Sequence, residues 1–392
     1  MSASGTRRSS SSSFLRRTRS CRRIPTTSVA FRCASRPCPR AALLPPIAST
    51  ESASEPWPER RPVPASSTPT FRTPMTAAAL PFVDGAYSIV VLPDTQGYVE
   101  GHPEHFFAQT RWIADHVASH NIQYVIHLGD ITHRNTPEQW ELARSAMKNL
   151  DGRVPYALVT GNHDHGIDGR AERRETHFNQ HFRAHENRSW PGLGGLMEED
   201  RLDNSFHVFD AAGRRFLIVA LEWAPRDRAV VWANEVVARH PDHHAILVTH
   251  AYLYYDDTRY DWRTRGRSQR WAPPSYGMTS DADLNDGQQL FDKLVRRHGN
   301  FVMTLSGHVL GDGVGHLVSE GDRGNEVHQI LSNYQHLNEG GEGWLRLVEF
   351  LPGGSTVQVR TYSPSLDQYK TDVRNQFRFE MRPVFDAAPD QE

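Results

Sequence analysis

From Ser88 onward the chain alternates short, almost wholly apolar runs with longer stretches whose apolar residues recur at helical spacing. The run Ser88-Ile89-Val90-Val91-Leu92 predicts a strand covered on both faces, ending at Asp94-Thr95-Gln96. A helix over about 105–119 follows, then a strand over 124–128 that ends at Gly129-Asp130. Thr136-Pro137-Glu138-Gln139 has the form of a helix start, with Thr as N-cap, Pro in the first turn and Gln three residues on. That helix is expected to run to about Leu150 and lead into the strand Tyr156-Ala157-Leu158-Val159.

Residues 165–204 are polar and irregular, and Gly192, Gly194 and Gly195 predict a loop there. Strands at 205–209 and 215–221 are expected to pair across Asp210-Ala211-Ala212-Gly213. A helix over 226–239 precedes a strand at 245–248 ending at Thr249-His250, and a helix over 284–298 precedes one at 301–305 ending at Gly307-His308. The last third predicts antiparallel strands at 327–331, 344–350 and 357–362, the last two joined across Pro352-Gly353-Gly354.

Strands alternating with helices imply right-handed βαβ units, whose functional loops lie at the carboxyl ends of the strands. Five such ends carry Asp94, Asp130, Asn162, His250 and His308. The densest is Gly161-Asn162-His163-Asp164, an amide, an imidazole and a carboxylate directly after a buried strand. Burying such groups costs several kcal/mol unless they find partners or metal, so the clustering marks a site.

Composition narrows the function. The 38% hydrophobic and 23% charged content is that of a globular protein, and no apolar run approaches the roughly 20 residues of a membrane-spanning helix. Residues 1–74 hold 13 Arg, no Lys and 3 Glu, a net +10, while the remainder carries 31 basic and 43 acidic residues, a net −12. An acidic body argues against tight non-specific nucleic-acid binding, which draws its affinity from neutralised phosphates. Cys21, Cys33 and Cys38 all precede the body, so disulfides do not hold it together. The Ser-, Arg- and Pro-rich segment 1–80 predicts disorder, as a targeting peptide or as sequence upstream of a true start at Met75. The expectation is a catalytic domain over 81–385, a flexible tail over 386–392, and a cytoplasmic location, or an exported or organellar one if the leader is genuine.

The ordered set Asp94-x-Gln96, Gly129-Asp130, Gly161-Asn162-His163-Asp164, Thr249-His250 and Gly307-His308 resembles the calcineurin-like metallophosphoesterases. Their pattern is DxH, GD, GNH followed by D or E, H, and GHxH. The resemblance implies an α/β fold, a four-layer αββα sandwich with a dinuclear centre of divalent metals (Mn, Fe, Zn or Mg) at the strand ends. It further implies hydrolysis of a small phosphorylated substrate, a phosphomonoester or phosphodiester, by in-line attack of metal-activated water. Carried over, Asp130 bridges two metals, Asn162, His250 and His308 complete one shell, and Asp94 and Gln96 belong to the other. His163 protonates the leaving oxygen. Arg134 stands where the protein-phosphatase branch binds phosphate, and His133 where that branch has a carboxylate beside the catalytic His.

Two positions depart from the pattern: Gln96 replaces a His, and Leu310 replaces the second His of GHxH. A Gln oxygen suits Mg²⁺ or Mn²⁺ better than Zn²⁺, and Leu cannot ligate, so that metal is expected to be weakly held or completed from Gly311-Asp312-Gly313-Val314-Gly315-His316. The same DTQ and GHVLGDG blocks are similar to those of a bacterial branch of the family. A nuclease or cyclic-nucleotide phosphodiesterase is the alternative enzyme, and a catalytically weak phospho-ligand-binding protein the alternative of another class.

Three further features carry expectations. The loop 251–283, rich in Tyr, Trp and Arg, is either a lid over the substrate or an apolar satellite of the core. His177, His181 and His185 share one face if helical, most simply a solvated or packed one. His165 is expected to line the substrate entrance.

Overall fold

The computed structural model describes residues 78–187, 191–280 and 283–385. The expectations for 1–77 and 386–392 lie outside them. The strands, in chain order, are β1 (Tyr87–Leu92), β2 (Ile122–His127), β3 (Tyr156–Leu158), β4 (Leu193–Glu198), β5 (Arg201–Ala211), β6 (Arg214–Ala220) and β7 (His244–Val248). They continue with β8 (Phe301–Ser306), β9 (Val314–Glu320), β10 (Glu326–Ser332), β11 (Leu345–Phe350), β12 (Thr356–Ser363), β13 (Gln368–Lys370) and β14 (Phe377–Glu380). Two sheets of seven strands result: β13-β12-β11-β1-β2-β3, with β14 beside β12, and β4-β5-β6-β7-β8-β10-β9.

Alternate residues of each central strand serve different layers. Ile89, Val91, Ile126, Ile218, Ile246, Leu305 and Val348 form the layer between the sheets. Val90, Leu92 and Val125 pack outward with Phe106, Ile113 and Trp140 of helices Pro103–His116 and Pro137–Met147. Leu217, Val219 and Leu247 pack outward with Val230, Val236 and Leu290 of helices Asp227–Ala238 and Gly287–Lys293. Burial on both faces is why these strands are nearly continuous apolar runs rather than alternating ones. The expected helix start holds: Thr136 caps Gln139 N–H, with Pro137 in the first turn.

The expected antiparallel last third holds for β11, β12, β13 and β14 and for the pairing of β10 with β9, but β10 lies in the other sheet and its second neighbour, β8, runs parallel to it. The glycine-marked loop also contains a strand, β4, in which Phe206 of β5 lies over Gly194 and Gly195; a Cβ on them would sit 2.2 and 2.6 Å from its ring. Those glycines make room for an aromatic ring, and the sheet gains an edge.

Within the sandwich Tyr124 Oη and Ser205 Oγ lie 2.7 and 3.1 Å from the two ring nitrogens of His207, which is 4% exposed. Burial holds its pKa down, from 6.5 to about 3. The unfolded chain therefore binds a proton that the folded chain refuses. Its contribution to stability is intact above pH 6.5 and falls, on the order of 1.4 kcal/mol per pH unit, as pH drops towards 3. Calorimetric melting at pH 7.5 and 5.0 should show wild type losing about 2 kcal/mol more than His207→Gln. Equal losses would refute this account.

Candidate metal centre

Three loops at the carboxyl ends of β1, β2 and β3 interlock beneath one point. Thr95 N–H donates to the Asp130 carbonyl at 3.1 Å and its hydroxyl to the Ile131 carbonyl at 3.1 Å. Asp130 and His308 both adopt left-handed backbone, with φ of 47° and 75°. Such residues cost on the order of 1 kcal/mol or more and concentrate at functional sites. Gly161 is obligatory: a Cβ there would lie 2.2 Å from Asp130 Oδ1 and 2.7 Å from His250 Nε2.

The next three residues divide the work of the block. Asn162 is 3% exposed and its Oδ1 has no hydrogen-bond partner among the described residues. His163 N–H donates to Asp130 Oδ1 at 2.9 Å. Asp164 accepts from the backbone N–H of Gly161, Ile131 and Thr132 at 2.8, 3.1 and 2.8 Å, and from Thr132 Oγ1 at 2.9 Å, so its carboxylate ties two loops together.

Asp130, His250 and His308 are buried, with one ligand atom of each within 4.8 Å of the others. His250 Nδ1 is 2.7 Å from the Leu128 carbonyl, and His308 Nε2 is 2.8 Å from that of Trp271. A carbonyl only accepts, so each of those nitrogens carries a hydrogen and leaves the other ring nitrogen as the one able to ligate. Metal-binding histidines are characteristically fixed in this way. His250 Nε2 stands 3.2 Å from Asp130 Oδ2 without hydrogen-bond alignment. Asp94 is 2% exposed, and its Oδ2 accepts from His308 N–H at 3.0 Å. Gln96, buried, leaves Oε1 without a partner among the described residues.

The electrostatics ask for a cation. Burial pushes Asp94 up to about 8, aided by the charge of Asp130 and opposed by His250. Asp130 is likewise opposed by burial, but His250, His163 and His308 hold it below the usual carboxylate range. Burial works to lower His250, yet Asp130 and Asp94 raise it to about 9; His308 falls to about 3 through burial and the proximity of His250. Two buried carboxylates, two imidazoles and orphaned amide oxygens fit divalent metal better than they fit one another.

A cavity of about 90 Å³ opens here, lined by Asp130, Asn162, His163, Trp271, Tyr276, His308, Leu310 and Gln335. His163 Nδ1 lies 2.8 Å from the His133 carbonyl, which leaves Nε2 free of that bond, and the two rings stack at 4.9 Å. Where the protein-phosphatase branch has a carboxylate beside its catalytic His, His133 here offers its backbone carbonyl to His163. Arg134 is turned away from the cavity, bound to Glu100 and Asp168 on a separate groove. His165 does not line an entrance: it is 2% exposed, with its ring nitrogens 3.2 and 3.0 Å from the Arg174 carbonyl and Thr160 Oγ1.

The Gly311–His316 stretch does not complete the site either. Asp312 is exposed and faces Arg374, and His316 Nε2 pairs with His328. His177, His181 and His185 do not share one helix, because the chain breaks at Phe182 between Phe178–His181 and Ala184–Asn187. The aromatic loop divides: Tyr252, Tyr254 and Tyr260 join the core, whereas Trp271 and Tyr276 line the cavity. Gln335 was not anticipated. Its signal was another polar strand end, Ser332-Asn333-Tyr334-Gln335 after β10.

Residues 87–312 match the model of the calcineurin-like phosphoesterase family. The chain is 31% identical over 316 residues to the uncharacterized protein YvnB of Bacillus subtilis strain 168, covering 75% of this chain and 21% of that protein. It therefore spans about a fifth of that relative's length. Among solved structures, purple acid phosphatase PPD1 from yellow lupin, Lupinus luteus, aligns at 14% identity and TM-score 0.44 over 77% of this chain and 55% of its own. The NAD nucleotidase of Haemophilus influenzae aligns at 11% identity and TM-score 0.37, over 76% and 50%. GAP50 of Plasmodium aligns at 10% and 0.39, over 76% and 89%.

Proposed function

The chain belongs to the calcineurin-like phosphoesterase family, and on that premise we propose that it hydrolyses a small phosphomonoester or phosphodiester at the cavity between Asp130 and His308. The observation that carries this reading is the buried Asp130, His250 and His308 group, with each imidazole fixed by a backbone carbonyl. Asp130, Asn162, His250 and His308 would hold one divalent metal, and Asp94, Gln96 and Asp130 a second. Bound metal would supply Lewis-acid polarisation of the phosphoryl group and acidify a water to act as nucleophile.

The chain's own residues do the rest. Asp130 Oδ1 is fixed by His163 N–H, so the carboxylate is oriented before substrate arrives. His163, with Nδ1 engaged by the His133 carbonyl, directs Nε2 to protonate the departing oxygen. Trp271 and Tyr276 exclude water from the cavity wall and offer an apolar face to the group that leaves. Arg134 and His133 would meet only the part of a substrate beyond the phosphoryl group.

The test is a panel of aryl phosphates, aryl phosphodiesters, cyclic nucleotides and single-stranded DNA, each assayed with and without added Mn²⁺. Mn²⁺-stimulated turnover of small esters, with DNA poorly cleaved, is expected. Binding without turnover on every member would replace the enzyme reading with that of a phospho-ligand-binding protein.

A further inference from the structure

The Leu310 side of the cavity lacks the imidazole that its relatives' pattern supplies, and the fold brings another donor there. Because β10 runs parallel to β8, its carboxyl end reaches the same edge as His308. The segment that follows is held firmly. Asn333 N–H donates to the Gly313 carbonyl at 2.7 Å, and Gln335 N–H donates to Asn333 Oδ1 at 2.9 Å. Tyr334, 2% exposed, accepts from Arg346 Nε at 3.1 Å and donates to Asn375 Oδ1 at 2.9 Å. Gly313, with φ of 71°, would place a Cβ 1.7 Å from the Asn333 carbonyl oxygen, so the turn after Leu310 packs directly on this segment.

Against that rigid backbone, Gln335 presents to the same cavity as Leu310 a side-chain oxygen, Oε1, that is buried and has no partner among the described residues. An unpaired buried acceptor is costly, and no protein donor among the described residues offsets that here. Gln96 Oε1 is orphaned in the same way. Asp94, Gln96, Asp130 and Gln335 offer oxygen alone, whereas His250 and His308 offer imidazole nitrogen. Oxygen-only sets take hard cations such as Mg²⁺ and Mn²⁺; imidazole suits Zn²⁺ and Fe.

We propose that Gln335 supplies, through Oε1, the ligand that Leu310 cannot, making this half of the centre an all-oxygen position for Mn²⁺ or Mg²⁺, unlike the histidine half. The inference rests on the metal reading above. Amide oxygens are weaker donors than imidazole nitrogens, so this cation is expected to bind more weakly than its neighbour.

Binding of Mn²⁺ to the full-length, metal-stripped protein, followed by electron paramagnetic resonance and calorimetric titration, tests it. Wild type should take up two Mn²⁺, one tightly and one weakly, the pair visible as a spin-coupled signal. Gln335→Ala should keep the tight ion, weaken the other at least tenfold and lose the coupled signal, with a metal-free melting temperature no lower than that of wild type. Gln335→Glu should tighten the weak ion and keep the coupling. Gln335→Ala binding both ions as wild type does, or wild type taking up a single Mn²⁺ at millimolar concentration, overturns the assignment of Gln335 while leaving the histidine half standing. Wild type binding no metal overturns the proposed function as well.

Discussion

Asp130→Asn will leave the fold standing and lower metal-dependent phosphoester hydrolysis on the order of a thousandfold or more. The substitution keeps the shape and one acceptor: an Asn oxygen at the Oδ1 position still receives His163 N–H. What it removes is the charge, and it turns an NH₂ toward His250 Nε2, 3.2 Å from the present Oδ2. The one carboxylate that the proposed function assigns to both metals is then gone. Initial rates on an aryl phosphate across a Mn²⁺ titration, beside a melting curve, separate lost chemistry from lost structure. His250→Ala should fail in the same way, and wild-type rates in either variant would sink the reading.

The second large effect lies at a residue that touches no proposed ligand atom except through the backbone. Asp164→Ala strips the acceptor from three buried backbone N–H groups and one hydroxyl. At about 1–3 kcal/mol for each stranded donor, a loss of about 4 kcal/mol or more is expected. In a domain of this size that lowers the melting temperature on the order of 10 °C. Because the freed groups belong to Gly161, Ile131 and Thr132, which flank Asn162 and Asp130, kcat/KM should fall on the order of a hundredfold even well below the melting temperature. Asp164→Asn should lie between, since its amide accepts on one side only. A variant Asp164→Ala that melts and turns over like wild type would show that water replaces the carboxylate.

The buried parallel strands and the five polar strand ends were legible in sequence because each physical cause is local. An apolar run such as Ile89-Val90-Val91-Leu92 needs cover on both faces, and a polar cluster right after it needs partners. What escaped depends on neighbours distant in the chain. Gly194 and Gly195 speak for a loop until the ring of Phe206 is known to lie over them. β9, Val314–Glu320, carries Gly315 and partly exposed residues because it is a sheet edge. His165 follows the motif in sequence, yet Thr160 and the Arg174 carbonyl turn it inward. β10 pairs antiparallel with β9, as expected; its parallel pairing with β8 comes from the crossover. Missing that neighbour hid Gln335, since pairing parallel to β8 is what brings the end of β10 beside His308.

Asp94, Asp130 and Asn162 follow β1, β2 and β3 of one sheet, while His250 and His308 follow β7 and β8 of the other. The gap across which carboxylate faces imidazole is therefore set by the thickness of the layer where Val91, Ile126, Ile246 and Leu305 meet. Close-packed interiors transmit a change of one methylene rather than absorb it. With metal held as proposed, preference for one ionic radius over another would thus be written partly in aliphatic side chains that bear no donor atom, and drift in the core would retune the centre without altering any of its ligands.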